Sequence, residues 1–217
     1  MTNFKWREFD SKKGMDGLED IEFDPIKLTQ LQIVGDGGPI SLNMTIDESV
    51  VKGYSTIVIN TSEIVPSNQS WITSFYIPKI LIEGYYRMHG RILVLPLVGS
   101  GNCSIEPSGI NATAYMKTNF FENYGQIFYN VTEMTMDLHF SGMKLYLHNL
   151  FEGIKPLEEA TNQALNDNWR ELLDSFKTFV SKPIEDNFVF TFNKLLHYIP
   201  AKYIVSDIEL PQVSTKN

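Results

Sequence analysis

The sequence predicts an α+β protein in which a long helix in the C-terminal half is wrapped by a strongly curved antiparallel β-sheet. Three observations carry this prediction. Apolar residues recur with period two from Leu31 to Phe151, they recur at spacings of three and four from Pro156 onward, and the strand phase slips by one residue at Thr132–Glu133. Period two is a strand with one face buried, spacings of three and four are an amphipathic helix, and a one-residue slip marks a β-bulge, which bends a sheet.

In the strand half, Ile40, Leu42, Met44 and Ile46 alternate with Ser41, Asn43, Thr45 and Asp47. Met134, Met136, Leu138 and Phe140 alternate with Thr135, Asp137, His139 and Ser141. Turns are expected at Gly35-Asp36-Gly37-Gly38-Pro39, Met88-His89-Gly90, Gly99-Ser100-Gly101-Asn102 and Ser141-Gly142. Such short connections indicate an antiparallel meander rather than βαβ units. In the helix half, the apolar stripe runs through Leu157, Ala160, Ala164, Leu165, Trp169, Leu172, Leu173, Phe176, Phe179 and Val180, then Phe188, Phe192, Leu195, Leu196 and Ile199. Pro156 suits the first turn, Pro183 is expected to kink or break the run, and Pro200 ends it. One helix over 157–199 would be about 65 Å long, against about 44 Å across a compact sphere of this chain. Either the helix folds back at Pro183 or the molecule is elongated along it. A curved sheet beside such a helix wraps it, leaving an apolar seam that is packed core or a lipid-sized tunnel. The division expected is an irregular N-terminal segment over 1–16, one domain over 17–207 and a flexible tail over 208–217.

Composition narrows the function classes. The chain has 217 residues and a net charge of -8, which argues against nucleic-acid binding and against adhesion to anionic membranes. Its longest apolar run, Ile92 to Val98, is far short of the roughly 20 residues that span a bilayer. Cys103 is the single cysteine, so no intrachain disulfide forms. The opening MTNFKWREFD carries no apolar signal-peptide region. Yet Asn43, Asn60, Asn68, Asn102, Asn111 and Asn130 each begin an Asn-x-Ser/Thr sequon, where composition gives about two by chance. The expectation is a secreted, extracellular, N-glycosylated protein, monomeric, whose N-terminus is shortened in this chain.

Catalytic motifs are absent. His89, His139, His148 and His197 make no metal-ligating spacing, with His89 expected in a turn and His139 on a polar strand face. No G-x-S-x-G elbow or phosphate loop occurs. Cys103 has no basic neighbour in sequence to activate it. The Glu158/Glu159 pair complements the dipole of a helix N-terminus. The protein is read as a non-enzyme without cofactor or metal.

Three stretches resemble the takeout/haemolymph juvenile hormone-binding protein family of insects. They are Phe23-Asp24-Pro25 through Gly37-Gly38-Pro39-Ile40; Pro78-Lys79-Ile80-Leu81-Ile82-Glu83-Gly84-Tyr85 continuing to Gly90-Arg91-Ile92-Leu93-Val94-Leu95-Pro96-Leu97-Val98-Gly99-Ser100-Gly101; and Asn149-Leu150-Phe151-Glu152-Gly153 with Asn166-Asp167-Asn168-Trp169. The resemblance covers about residues 17–205. It implies a tubular lipid-binding fold, a super-roll with an internal apolar pocket, in a circadian- and feeding-related family of secreted carriers. It also implies a signal peptide and a cysteine pair beside an N-terminal helix, none of which stands in the opening residues here.

The leading function is therefore a carrier of a small hydrophobic ligand, a juvenile hormone-like terpenoid, a fatty acid or similar, with no nucleic-acid partner and no stable membrane insertion. Candidate lining residues are Leu42, Met44, Met134, Met136, Leu138, Phe140, Phe176, Phe179 and Val180, with Tyr85 or Tyr129 offering a hydroxyl to a polar head. The methionines suit either core packing or an adaptable pocket wall. The alternative is a secreted glycoprotein with a filled core that acts through its surface.

Overall fold

The computed structural model describes residues 24–37, 40–65, 68–92 and 95–204, apart from the side chains of 36, 37, 40, 95, 177–180 and 183. The expected N-terminal segment 1–16 and tail 208–217 lie outside the described residues. The elements are β1 (Ile26–Gly37), β2 (Ile40–Lys52), β3 (Val58–Val65), β4 (Ser70–Lys79), β5 (Leu81–Ile92), β6 (Leu95–Asn123), β7 (Gln126–His139), β8 (Gly142–Leu147), α1 (Lys155–Asp167), α2 (Trp169–Leu196) and α3 (Ala201–Ile204).

All strand pairs are antiparallel, and the register makes the sheet a meander of long, interrupted strands. β2 pairs with β5 and β3 with β4, so β2 and β3 lie in line beside β5 and β4. In turn β5 and β4 lie in line along one side of β6. β8 and β7 lie in line along its other side. β1 closes the far edge against β2.

The interruptions fall on one line across the sheet. Residues 53–57 separate β2 from β3, Ile80 separates β4 from β5, and Phe140 and Ser141 separate β7 from β8. At the same level in β6, the Ile80 N–H donates to the Pro107 carbonyl at 3.0 Å and the Ser141 N–H to the Ser108 carbonyl at 3.0 Å. Gly109 there has φ +57, and a Cβ on it would stand 2.6 Å from that of Ser141, so only glycine lets the two strands approach. A straight 29-residue strand such as β6 would reach about 95 Å at 3.3 Å per residue, and this crease is where the sheet bends. A second bend is the bulge expected from the phase slip. Lys117 pairs with Glu133 and Thr118 with Val131, leaving Thr132 extra.

α2 lies in the curve, packed chiefly on β7 and also on β1 and β8. Several sequence-based expectations are corrected here. Met88-His89-Gly90 is no turn but part of β5, so His89 is a strand residue, and Gly99 to Asn102 is part of β6. The helical run breaks at Asn168, between α1 and α2, whereas α2 continues through Pro183. Leu157 and Ala160 are exposed, and α1 buries Glu158, Thr161, Asn162 and Leu165 instead. No helix among the described residues is long and apolar enough to cross a membrane.

Candidate functional site

The crease divides the interior into two apolar clusters. On one side β2, β5, the first part of β6 and β8 bury Leu42, Met44, Ile46, Tyr86, Met88, Leu97 and Leu147, covered by Leu165 and Leu172. On the other, β4, the second part of β6 and β7 bury Trp71, Phe75, Ile77, Ala112, Ala114, Met116, Tyr129, Met134 and Met136, covered by Leu196, Phe188 and Phe192. The lining residues expected from sequence therefore do not share one seam. Leu42, Met44 and Phe176 belong to the first cluster; Tyr129, Met134, Met136, Leu138 and Phe140 belong to the second. The side chains of Phe179 and Val180 lie outside the described residues.

Tyr85 is a correction. It is 45% exposed and stands opposite Asp47 and Asn102 on the outer face. In β5 the buried positions are Tyr86, Met88 and Ile92, so strand alternation turns Tyr86 inward and Tyr85 outward. The Tyr86 hydroxyl donates to the His148 carbonyl at 2.8 Å.

The second cluster has the features of a ligand wall. Ala112 pairs with both Phe75 and Leu138, and Ala114 with Met136, so small side chains leave room between large ones. Tyr129 packs against Phe120 at 4.7 Å and Trp71 at 5.8 Å between ring centroids. It is 2% exposed, and its hydroxyl has no hydrogen-bond partner. Burial pushes that phenol up to about 12, so it stays protonated and able to donate at any physiological pH. A buried polar group without a partner costs free energy, and among the described residues it is the one partnerless side-chain polar atom buried in this cluster of rings and thioethers. Trp71, Phe75 and Ile77 were missed in the sequence reading; their alternation along β4 was the available signal.

Chemistry of other kinds finds little support in the site. Burial pushes the Cys103 thiol up to about 11, far from a reactive thiolate. Among the described residues no group of three or more His, Cys, Asp or Glu is placed to hold a metal. His139 lies exposed on its strand.

The open edge of β7 and β8 is held by helix side chains acting as a substitute strand. Asn162 accepts from the Leu147 N–H at 2.8 Å and donates to its carbonyl at 3.0 Å. Asn166 does the same for Leu145, at 2.9 and 2.7 Å. On the other side of the crease Asn193 accepts from the Val131 N–H at 2.7 Å and donates to its carbonyl at 2.8 Å, while Glu185 accepts from the Met136 N–H at 3.0 Å. These bonds satisfy edge groups that would otherwise be buried unpaired or left open to strand addition.

Of the sequon asparagines, Asn43, Asn60, Asn68, Asn102 and Asn111 are exposed. Asn130 is half-buried, donating to Asn119 at 3.2 Å and lying 3.1 Å from His197 Nε2.

Comparison with known proteins agrees with this architecture. The family model for haemolymph juvenile hormone binding protein matches residues 10–206. The circadian clock-controlled protein daywake of Drosophila yakuba is 23% identical over 172 residues, 74% of this chain and 65% of that protein. The daywake protein of Drosophila melanogaster is 25% identical over 96 residues, 44% of this chain and 37% of that protein. The chain thus covers less than two thirds of either relative's length. The crystal structure of Epiphyas postvittana Takeout 1 superposes with a TM-score of 0.76 at 21% identity, over 88% of this chain and 87% of that one, and shares the curled antiparallel sheet.

Proposed function

Since the chain belongs to the haemolymph juvenile hormone binding protein family, we propose that it is a secreted carrier of one small hydrophobic ligand, a juvenile hormone-like terpenoid, a fatty acid or a similar molecule. The ligand would lie against the Met134/Met136 wall, with its polar end accepting a hydrogen bond from Tyr129. No bond is made or broken; the work is burial of apolar surface in a preformed interior. Burying about 400 Å² of ligand surface contributes about 10 kcal/mol gross. Association costs about 4 kcal/mol at the low end, which leaves affinity of tens of micromolar at best without a charged anchor. The exposed sequons support passage through the secretory pathway and N-glycans on the outer face, away from that interior.

The single observation behind this reading is the partnerless Tyr129 hydroxyl inside an apolar wall. The test is mass spectrometry of organic extracts from protein secreted by insect cells, together with titration of parinaric acid. One apolar compound class near one equivalent, and saturable probe binding, are expected. Tyr129→Phe should weaken a carboxylate- or ester-bearing probe by about 1 kcal/mol and leave a plain hydrocarbon unaffected. An empty extract with no probe binding would sink the carrier reading in favour of a filled-core glycoprotein acting through its surface.

A further inference from the structure

We infer that the aromatic side chains flanking Asn102 and Asn111 on the outer face of the sheet are platforms for the first sugar of an N-glycan on each asparagine; this rests on the reading above that the chain passes through the secretory pathway. Both asparagines stand in β6 and are exposed. In Asn102-Cys103-Ser104 and in Asn111-Ala112-Thr113 the middle residue is buried, so strand alternation turns the asparagine and the hydroxyl residue outward together. Each asparagine lies between a tyrosine and a histidine. Asn102 pairs with Tyr85 of β5 on one side. On its other side, the position after the Cys103–Leu147 pair sets it opposite His148, whose N–H donates to the Asn102 carbonyl at 3.0 Å. Asn111 pairs with Tyr76 of β4 and, across β6, with His139 of β7.

Side chains directly opposite one another on one face stand about 4.5–5.5 Å apart at Cβ, so a sugar carried on the asparagine amide nitrogen lies over the neighbouring ring. One face of a pyranose is made of C–H bonds, which fits the π-face of an aromatic ring by dispersion and weak C–H contacts. Tyr85 is 45% exposed, Tyr76 is half-buried and both histidines are exposed, so these faces are open to a sugar. His148 is itself steadied: the Tyr146 ring lies 4.6 Å from it, and the Tyr146 hydroxyl donates to Glu158 Oε1 at 3.2 Å. Two other exposed sequon asparagines lack this frame. Asn43 faces Val34 and His89, and Asn60 is the extra residue of a bulge, without a cross-strand partner. Strand propensity alone accounts for tyrosines on a wet face, but not for the same tyrosine–asparagine–histidine row at both sequons of β6.

The test uses the full chain secreted from insect cells with mannosidase trimming inhibited, so that every occupied site carries an oligomannose glycan. Glycopeptide mass spectrometry reads occupancy site by site. The native protein is then digested with endoglycosidase H, which cuts between the first two sugars, and each rate is normalised to that of the denatured protein. Asn102 and Asn111 should be occupied and cut about threefold or more slowly than Asn60. Tyr85→Ala should raise the rate at Asn102 alone by about that factor, and Tyr85→Phe, which keeps the ring, should leave it slow. Tyr76→Ala should do the same for Asn111; if that variant does not fold, the exposed Tyr85 carries the test. An Asn102 glycan cut as fast as that on Asn60, or a rate indifferent to Tyr85→Ala, would overturn the platform and leave the secretory reading standing. Glycans on Asn43 and Asn60 with none on Asn102 and Asn111 would do so too. Protein bare at all six sequons would remove the secretory reading and the platforms with it.

Discussion

The two sides of the crease belong to one antiparallel sheet yet are closed by different physics. On the α1 side, the helix meets β8 with a polar face. Asn162 and Asn166 hold the strand backbone, and Glu158, 0% exposed, is gripped by Lys155 at 2.8 Å and Tyr146 at 3.2 Å. On the far side, α2 meets β7 with Phe188, Phe192 and Leu196, and Asn193 and Glu185 bond to the edge. Directional bonds hold α1 in one place. Non-directional apolar contact under α2 tolerates a change of what fills it, which is what a ligand-accepting interior requires.

This contrast can be broken by mutation. The largest effect is expected from Asn162→Ala, which leaves the buried N–H and carbonyl of Leu147 without partners. The loss should be about 3 kcal/mol by urea denaturation, against about 1–2 kcal/mol for Asn193→Ala, where the apolar contacts persist. Equal and small losses would mean that the amide latches do not hold the edge. Next, Met136→Trp should weaken parinaric acid binding by about 1–3 kcal/mol, the scale of overpacking. Met44→Trp, on the α1 side, should cost a similar amount of stability and leave binding alone. Matching losses of affinity would erase the functional difference between the halves.

Acid should act on the α1 side through Glu158. The hydrogen bond from Lys155, opposed by burial and aided by the Asn149 backbone and Tyr146, holds its carboxyl below the usual 4.5. A carboxyl depressed in the folded state contributes stability that is fully present above its unfolded value and is lost as pH falls through the lower folded value. The stability difference between wild type and Glu158→Gln should be constant near neutrality and shrink below about pH 4.5. A difference that stays flat into strong acid would contradict this. The smallest effect belongs to the outer face. Tyr85→Ala should change stability and probe affinity by less than about 0.5 kcal/mol, whereas Tyr86→Phe loses a bond to His148 worth about 1 kcal/mol.

Much of the roll was legible because alternation reports directly which side of a strand is dry. Met134 and Met136 were placed inward from their neighbours alone, and the phase slip located the extra residue Thr132. Glycines misled the reading at Gly99 and Gly101. They read as turn punctuation, but they lie within β6 because a returning segment presses on it. A Cβ on Gly99 would stand 3.0 Å from the Asn149 carbonyl, and one on Gly101 would stand 2.6 Å from that of His148. Absence of a side chain is the same letter whether it frees a turn or admits a neighbour.

What the sequence determined by itself is local: strands, their inward faces, the meander, the bulge and a helical C-terminal half, all set by periodicities that single segments carry. Only the tertiary structure decided that three interruptions from distant parts of the chain share one crease, that α1 buries Glu158 and Asn162 rather than Leu157, and that the apolar positions divide into two clusters. Each of these depends on what lies opposite. A polar helix face becomes the buried one only when an unpaired strand edge is there to receive its amides, and no pattern within the helix records that edge.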